Sequence, residues 1–451
     1  MTMKNIKLTA LVFCFLAFKS QAQINWNIGG RIENAIEKKV DQGIDRSIDK
    51  GVNEAEENIK KGGKKVKEGD KKEETNGTGN NTNSNNGNTN SSPNSNNPKV
   101  DPPSSLQSYS KFDFIPGEKV IAIEDFSQDA VGDFPAKWNT NGNGEIVTID
   151  GQQGKWLKFG PNSIIYPEFV NGLPENFTIE FNLASNNEYN FYSSAFHILA
   201  AQMGVVLKEY PKWERFGRKV NGMEFGLHPE GAGGGIGYKF YKVFDETGEV
   251  LIENDASCPN FTEKKNIIKV SIWRQKTRFR MYINEEKVWD IPKAFDPAAK
   301  YNFLGFRVDG YHNEGDAYFL TNLRVAVGAP DTRNKLITEG KYSTTGILFD
   351  VNSDKIKPES FGTLKDIAAV LSENPDVKIK IIGHTDSDGE DAKNLELSKK
   401  RSESVKIALN KDFGISLDRL QTDGKGETMP VGDNTTIEGK ANNRRVEFIK
   451  L

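Results

Sequence analysis

Cysteine is nearly absent: 451 residues contain two, Cys14 and Cys258, and Cys14 lies inside an N-terminal apolar run. With that run removed no intrachain disulfide is possible, so the fold has to stand on burial alone. Histidine is almost as scarce. His197, His228, His312 and His384 are scattered, with no H-E-x-x-H helix and no nucleophile elbow, so the usual marks of zinc hydrolases and serine esterases are missing. A formal net charge of −3 makes no case for nucleic acid. Past the first apolar run, nothing approaches the ~20 residues of a membrane-spanning helix. No cofactor or metal pattern stands out. Asp125, Asp129 and Asp133 are spaced only loosely like a calcium loop, without its turn glycine or closing glutamate, and read as a plain acidic loop. Residues 231–237 are glycine-rich but lack the strand-to-helix setting of a phosphate loop.

What is present divides the chain into five stretches. Lys4 and Lys7 precede an apolar core from Leu8 to Phe18, and Ser20-Gln21-Ala22 follows. This pattern predicts a signal peptide over 1–22, cut after Ala22 or Gln23, and hence an exported protein. Leu11-Val12-Phe13 is too bulky to precede a lipidated cysteine, so Cys14 goes with the signal. Over 23–72, Ile24, Ile28, Ile32, Ile36, Val40, Ile44, Ile48 and Val52 recur every fourth residue. At about 100° per residue that stripe winds slowly around an amphipathic helix. So narrow a stripe calls for a partner: a second copy, another protein or a membrane surface. Residues 73–108 are Asn, Ser, Thr and Gly closing on prolines, a disordered linker with an end-to-end span on the order of 30 Å.

From 109 to 330 the texture is short alternating apolar runs broken by Gly, Asn and Pro. Val120-Ile121-Ala122-Ile123 and Phe177-Thr178-Ile179-Glu180-Phe181 are examples. Residues 267–273 and 279–283, separated by Arg274-Gln275-Lys276-Thr277, predict a hairpin. The spacing predicts an all-β sandwich of the jelly-roll type. These runs are too short and too often charged for a membrane barrel. The closing run 319–327 resembles the last strand of laminin-G and concanavalin-A-like sandwiches, by pattern and length only. Trp138, Trp156, Trp213, Trp273, Trp289, Tyr166 and Tyr189 are read mainly as core, although such rings also stack on sugars. An envelope protein or a glycan is the partner expected for this domain. Glu180 and Glu224 leave open an alternative, a glycan- or wall-processing enzyme with a catalytic sandwich. A deep cleft with two carboxylates about 5–10 Å apart would favour that enzyme, and an aromatic platform would favour a lectin.

The C-terminal stretch, 331–451, carries the strongest pattern. Gly346-Ile347-Leu348-Phe349-Asp350 predicts a strand, and Pro358 opens a helix with Leu364, Ile367, Ala368 and Leu371 on one face. The alternation Val377, Ile379, Ile381 predicts a strand ending in Gly383-His384-Thr385-Asp386-x-x-Gly389. Asn394-x-x-Leu397-Ser398-x-x-Arg401 then opens a helix with Val405, Ala408 and Leu409 inward. Ser398 is expected as its N-cap, with Arg401 in the first turn. Strands near 420–422 and 445–451 complete a β-α-β-α-β order of the α/β class. A carboxylate at a strand end facing a guanidinium at a helix start suits a zwitterion.

Thr385-Asp386-x-x-Gly389, Asn394-x-x-Leu397-Ser398-x-x-Arg401-Ser402-x-x-Val405 and Asn443-Arg444-Arg445-Val446 resemble, in order, the motifs of the OmpA family's peptidoglycan-anchoring domain. Ser402 replaces the usual alanine. The resemblance covers roughly residues 340–451 and implies a non-enzymatic protein of the periplasm and outer-membrane envelope. It further implies that Asp386 and Arg401 hold the ammonium and carboxylate of diaminopimelate in the wall peptide. Gly383, Thr385 and Asn394 belong to the same motif. Asp350 opens the loop, 350–355, that lines the groove in the family. Of Arg444 and Arg445, one is expected to line the site and the other to be structural, with the order left open. His384 is expected to pack.

Overall fold

A computed structural model describes residues 112–213, 221–231, 234–328 and 331–451. The expected signal peptide, striped helix and linker lie outside the described residues. Within them, no helix is long and apolar enough to cross a membrane.

The alternating runs of the middle region form fifteen strands. In chain order they are β1 (Lys119–Glu124), β2 (Trp138–Thr140), β3 (Gly144–Val147), β4 (Trp156–Phe159), β5 (Ser163–Pro167), β6 (Asn176–Ser185), β7 (Phe196–Ala201), β8 (Gly222–His228), β9 (Gly237–Phe244), β10 (Val250–Cys258), β11 (Ile267–Gln275), β12 (Arg278–Ile283), β13 (Glu286–Ile291), β14 (Phe303–Val308) and β15 (Tyr318–Val327). An eight-stranded sheet runs β13-β12-β11-β6-β15-β4-β3, with β1 also on β15. A seven-stranded sheet runs β10-β9-β8-β7-β14-β5-β2. Every pairing in both is antiparallel. Among the described residues neither sheet closes into a barrel.

Strand period decides what each sheet buries. Phe177, Ile179, Phe181 and Leu183 of β6 and Met223, Phe225 and Leu227 of β8 enter one apolar core. Rings from opposite sheets meet there: Phe225 stacks on Phe279 at 3.9 Å, and Phe181 lies edge-on to Phe306 at 5.4 Å. Each such ring, fully buried, contributes roughly 1.5–3 kcal/mol. Trp138, Trp156, Trp213, Trp273, Tyr166 and Tyr189 are all buried, so packing claims these rings. Cys258 is buried and free. The expected hairpin forms between β11 and β12, tighter than its four-residue gap implied, because Gln275 still pairs with Arg278 and Lys276 turns at φ +54°. In the acidic loop, Asp125 and Asp129 accept backbone bonds from Ser127 and Ala136 and so shape their own turns.

The same period sends Glu180 and Glu224 outward, from different sheets. The two carboxylates therefore lie on opposite outer faces, with both sheets and the core between them, and form no pair. Glu180 is instead bound by Lys269 at 2.9 Å and Arg324 at 2.6 Å.

The C-terminal region contains β16 (Lys341–Thr344), α1 (Phe361–Glu373), β17 (Ile379–Gly383), α2 (Asp391–Phe413), β18 (Leu420–Gly424), α3 (Ile437–Asn443) and β19 (Val446–Lys450). The sheet order is β16-β19-β17-β18, with β17 and β18 parallel. Leu364, Ile367, Ala368 and Leu371 of α1 and Val405 and Leu409 of α2 fill the core beneath it. Two expectations need correction. The first strand is 341–344, not 346–350, which makes only a single bridge from Phe349 to Ile356. Gly346 there lies against Thr363 and Pro116 rather than beside a strand.

The second correction concerns Ser398. Helix α2 begins at Asp391, with Glu390 extended as its N-cap and Asn394 N–H already bonded to the Glu390 carbonyl at 2.9 Å. Gly389 makes the preceding turn at φ +103°. Ala392, Lys393, Leu395 and Glu396 are good helix formers, so the helix starts as soon as that turn allows. Ser398 is wholly buried mid-helix, and its Oγ accepts from Gly426 N–H at 2.9 Å. Any Cβ on Gly383 would strike the Ser398 carbonyl, and one on Gly424 the Lys399 amide. Glycine on the strands and serine on the helix thus let two backbones touch.

The two regions pack as one compact body. Residues 112–118 lie between them: Phe112 and Phe114 bury against Trp273 and Tyr282, while a side chain on Gly362 of α1 would hit the Phe114 backbone. Asn442 of α3 accepts from Val120 N–H and donates to the Val120 carbonyl, both at 3.0 Å. A bulge between Val120 and Ala122 turns Val120 outward onto Ala326 and Ala441. The C-terminal region thereby covers part of the outer face of the eight-stranded sheet.

Candidate functional site

The motif residues separate into those that line a groove and those that build it. Strand β17 ends at Gly383, and the chain turns so that Asp386, nearly buried, faces Arg444 at the end of α3. Arg444 Nη1 bonds Asp386 Oδ2, and the Arg444 side chain is 45% exposed. Arg401 reaches the same place from the middle of α2, about 15 Å along the axis from its first residue. It is therefore not a first-turn residue, and the helix N-terminus does not share its site. Its Nε donates to the Ser353 carbonyl at 3.0 Å, and its guanidinium lies 4.8 Å over the Phe349 ring. Burial and the neighbouring Arg444 lower the Arg401 pKa, against Asp386 and Asp354. An arginine so placed stays charged. Among the described residues no carboxylate forms an ion pair with it, so the cluster offers uncommitted positive charge beside a carboxylate.

A cavity of about 220 Å³ opens here, lined by Arg401, Arg444, Phe349 and His384 and, from the two-sheet region, by Ile123 and Arg324. Arg324 is already committed to Glu180, and its Nη2 donates to Thr345 Oγ1 at 2.8 Å. Thr385 lies beside the site with its N–H on the Gly426 carbonyl and its hydroxyl buried without a partner among the described residues.

The remaining motif residues support this groove. Asn394 Nδ2 donates to the carbonyls of Asp386 and Asp388 and to Glu427 Oε2 at 2.6 Å, pinning the Asp386 loop to α2. Gly383 is the close-contact position already described. Arg445 is buried and bound to Glu447 by Nε at 3.0 Å and Nη2 at 2.8 Å. Burial alone would raise the Glu447 carboxyl. The nearby His384 ring, the Lys341 ammonium and the bonds from Arg445 outweigh it and hold the group well below the usual carboxylate range. His384 packs beside that pair with Nε2 3.6 Å from Glu447. Both late arginines line the cavity, Arg444 with an exposed side chain and Arg445 while buried on Glu447. The loop 350–355 does meet Arg401, but through Ser353, while the Asp350 carboxylate lies toward Lys355 at 3.8 Å. Ile123, Arg324 and Phe349 were missed; the first two come from a region with no motif.

Residues 348–444 match the model of the OmpA family. Outer membrane porin F of Pseudomonas fluorescens is 43% identical over 101 residues, 22% of this chain and 31% of its own length. The outer-membrane lipoprotein YfiB of Pseudomonas aeruginosa is 38% identical over 103 residues, 23% of this chain and 61% of its own. Among solved structures, the peptidoglycan-associated lipoprotein of Burkholderia pseudomallei is similar at 28% identity and a TM-score of 0.22, over 24% of this chain and 89% of that one. The matched stretch is thus less than two thirds of either relative's length.

Proposed function

We propose that this chain is a non-enzymatic anchor of the bacterial cell envelope, gripping peptidoglycan through the Asp386–Arg401–Arg444 groove. A two-sheet domain of sandwich type is held on the wall by that grip. The observation that carries the reading is a carboxylate and two guanidiniums meeting in a groove built from residues that match the OmpA model. Relatives named as outer membrane proteins and lipoproteins support an envelope location, with the N-terminal signal directing export.

The ligand that fits is diaminopimelate, whose far end presents an ammonium and a carboxylate together. Its ammonium would take Asp386 from Arg444. Arg401, and Arg444 once released, would take the carboxylate, and the exposed side chain of Arg444 makes that exchange inexpensive in desolvation. Losing Asp386 leaves the ligand ammonium unpaired, and losing Arg401 leaves its carboxylate to Arg444 alone. Asp386→Ala and Arg401→Ala should each weaken binding to diaminopimelate-type wall by on the order of 2–4 kcal/mol. Co-sedimentation with purified sacculi measures this, and full pelleting of both variants would sink the assignment.

A further inference from the structure

The outer face of the seven-stranded sheet carries a second, larger concavity of about 1230 Å³. It exceeds the ~300–1,000 Å³ that usually houses a small ligand. One cross-strand row forms its floor: Phe240 opposite Gly226, Gly226 opposite His197, and His197 opposite Arg307. Gly226 lacks a side chain because the Phe240 ring lies where its Cβ would be. Tyr238 stacks on buried His228 at 4.8 Å and 12°, and continues to Phe240 at 6.4 Å and 22°. Near-parallel rings therefore make one wall.

Beside that wall is a polar cluster, sealed at Glu224 and Arg307 and open to the cleft at Asp309. Arg307 Nη2 donates to Glu224 Oε1 at 2.7 Å, and His197 Nδ1 lies 2.6 Å from the same oxygen. Arg307 Nε faces Asp309 Oδ1 at 2.7 Å. Burial, then the Arg307 charge, lowers the His197 pKa against both carboxylates. With His197 neutral, the four groups together carry one negative charge. The rim is fixed too: Asp309 N–H donates to Ser194 Oγ at 3.0 Å, and His312 N–H to Ser193 Oγ at 2.6 Å.

This chemistry selects a ligand class. An anion would meet the net negative charge of this cluster, since Arg307 faces two carboxylates, and Lys242 at the edge pairs with Glu253 at 2.9 Å. A purely apolar molecule would strip water from the cluster and return no hydrogen bonds. A neutral sugar meets both demands, its C–H face on the rings of Tyr238 and Phe240 and its hydroxyls on Asp309, Asn141 and Asn162, which also line the cleft. We propose that this cleft binds a neutral oligosaccharide without cutting it. The Arg307 guanidinium ties both carboxylates into ion pairs, which orients hydroxyls but leaves neither to attack or protonate a glycosidic bond.

The test is calorimetric titration of the full chain with cello-, xylo-, malto-, laminari- and N-acetylchito-hexaose at millimolar concentration. At least one should bind saturably, and Tyr238→Ala with Phe240→Ala should weaken it about tenfold or more through two lost stacking surfaces. Asp309→Asn should weaken it as well, while Asp386→Ala should leave it unchanged, which separates this site from the wall groove. If the double variant does not fold, Tyr192→Ala removes an exposed ring at the rim and decides with Asp309→Asn. Binding by none of the five sugars, unchanged affinity in the folded variants, or accumulation of shortened sugars would overturn the assignment.

Discussion

Asp386 with Arg444 in the groove, and Glu224 with Arg307 in the cleft, are each a carboxylate held by a guanidinium. Their surroundings differ sharply. The Arg444 side chain is 45% exposed, whereas both partners in the cleft are 2% exposed. An exposed arginine can leave its carboxylate for water or for a ligand at little cost. A sealed pair cannot, because separating it strands a charge in a poor solvent. The first arrangement suits a charged ligand that replaces one partner. The second suits a fixed frame of donors and acceptors that a neutral ligand joins.

The sharpest way to break this contrast is to remove one partner on each side and measure stability by urea denaturation. Glu224→Ala should cost about 3–5 kcal/mol, since it leaves Arg307 buried beside only Asp309.

Acid should then find the ion pairs on the outer face of the eight-stranded sheet. At Glu180, burial opposes ionisation, but Lys269 and Arg324 more than offset it and lower its pKa to about 2. A folded-state value below the unfolded one means the stabilisation is complete above the unfolded pKa of ~4.5 and is lost as pH falls from there. The loss should reach up to about 3 kcal/mol near pH 2, and Glu180→Gln should flatten that limb. An unchanged acid limb in the variant would show that other carboxylates govern it.

Gly383→Ala should cost about 1–3 kcal/mol by overpacking, because its Cβ meets the α2 backbone. It should also weaken sacculus binding, as α2 carries Arg401 and Asn394 holds the Asp386 loop to it. Intact wall binding in a folded Gly383→Ala protein would mean that the groove tolerates helix displacement.

Arg444→Ala should change stability least, within about 1 kcal/mol. A loss near that of Glu224→Ala would erase the distinction between the open and sealed pairs.

The two sites also differ in how far they could be read from the residues. The groove's chemistry sits in short, ordered motifs, so Asp386, Arg401 and one of the two late arginines could be brought together on paper, without saying which. The start of α2 could not, because Ser398 precedes a helical run but so do the equally helical residues 391–397. Only the Gly389 turn ends that ambiguity. The apolar run 346–350 looked like a strand, yet a strand needs a neighbour, and alternation says nothing of which edges are available. The cleft was out of reach for the same reason. His197, Glu224, Arg307 and Asp309 come from three strands and a loop, and pairing alone assembles them. Their one local mark is a lone ionisable side chain within an apolar strand, as in Phe196-His197-Ile198 and Phe306-Arg307-Val308. That mark also fits Glu180, which the sheets put on the far side of the domain.

The carboxamide of Asn442 holds Val120 by both its amide and its carbonyl, and the groove opens alongside at Ile123 and Arg324. A wall strand gripped there would therefore pull at the seam between the two regions. The lever arm is short, so tension produces little torque on the joint. Such a load would enter β1 and pass into β15 through the hydrogen bonds that pair the two strands. An anchor loaded at its seam fails only when several of those bonds break at once, where one loaded at its tip would peel bond by bond.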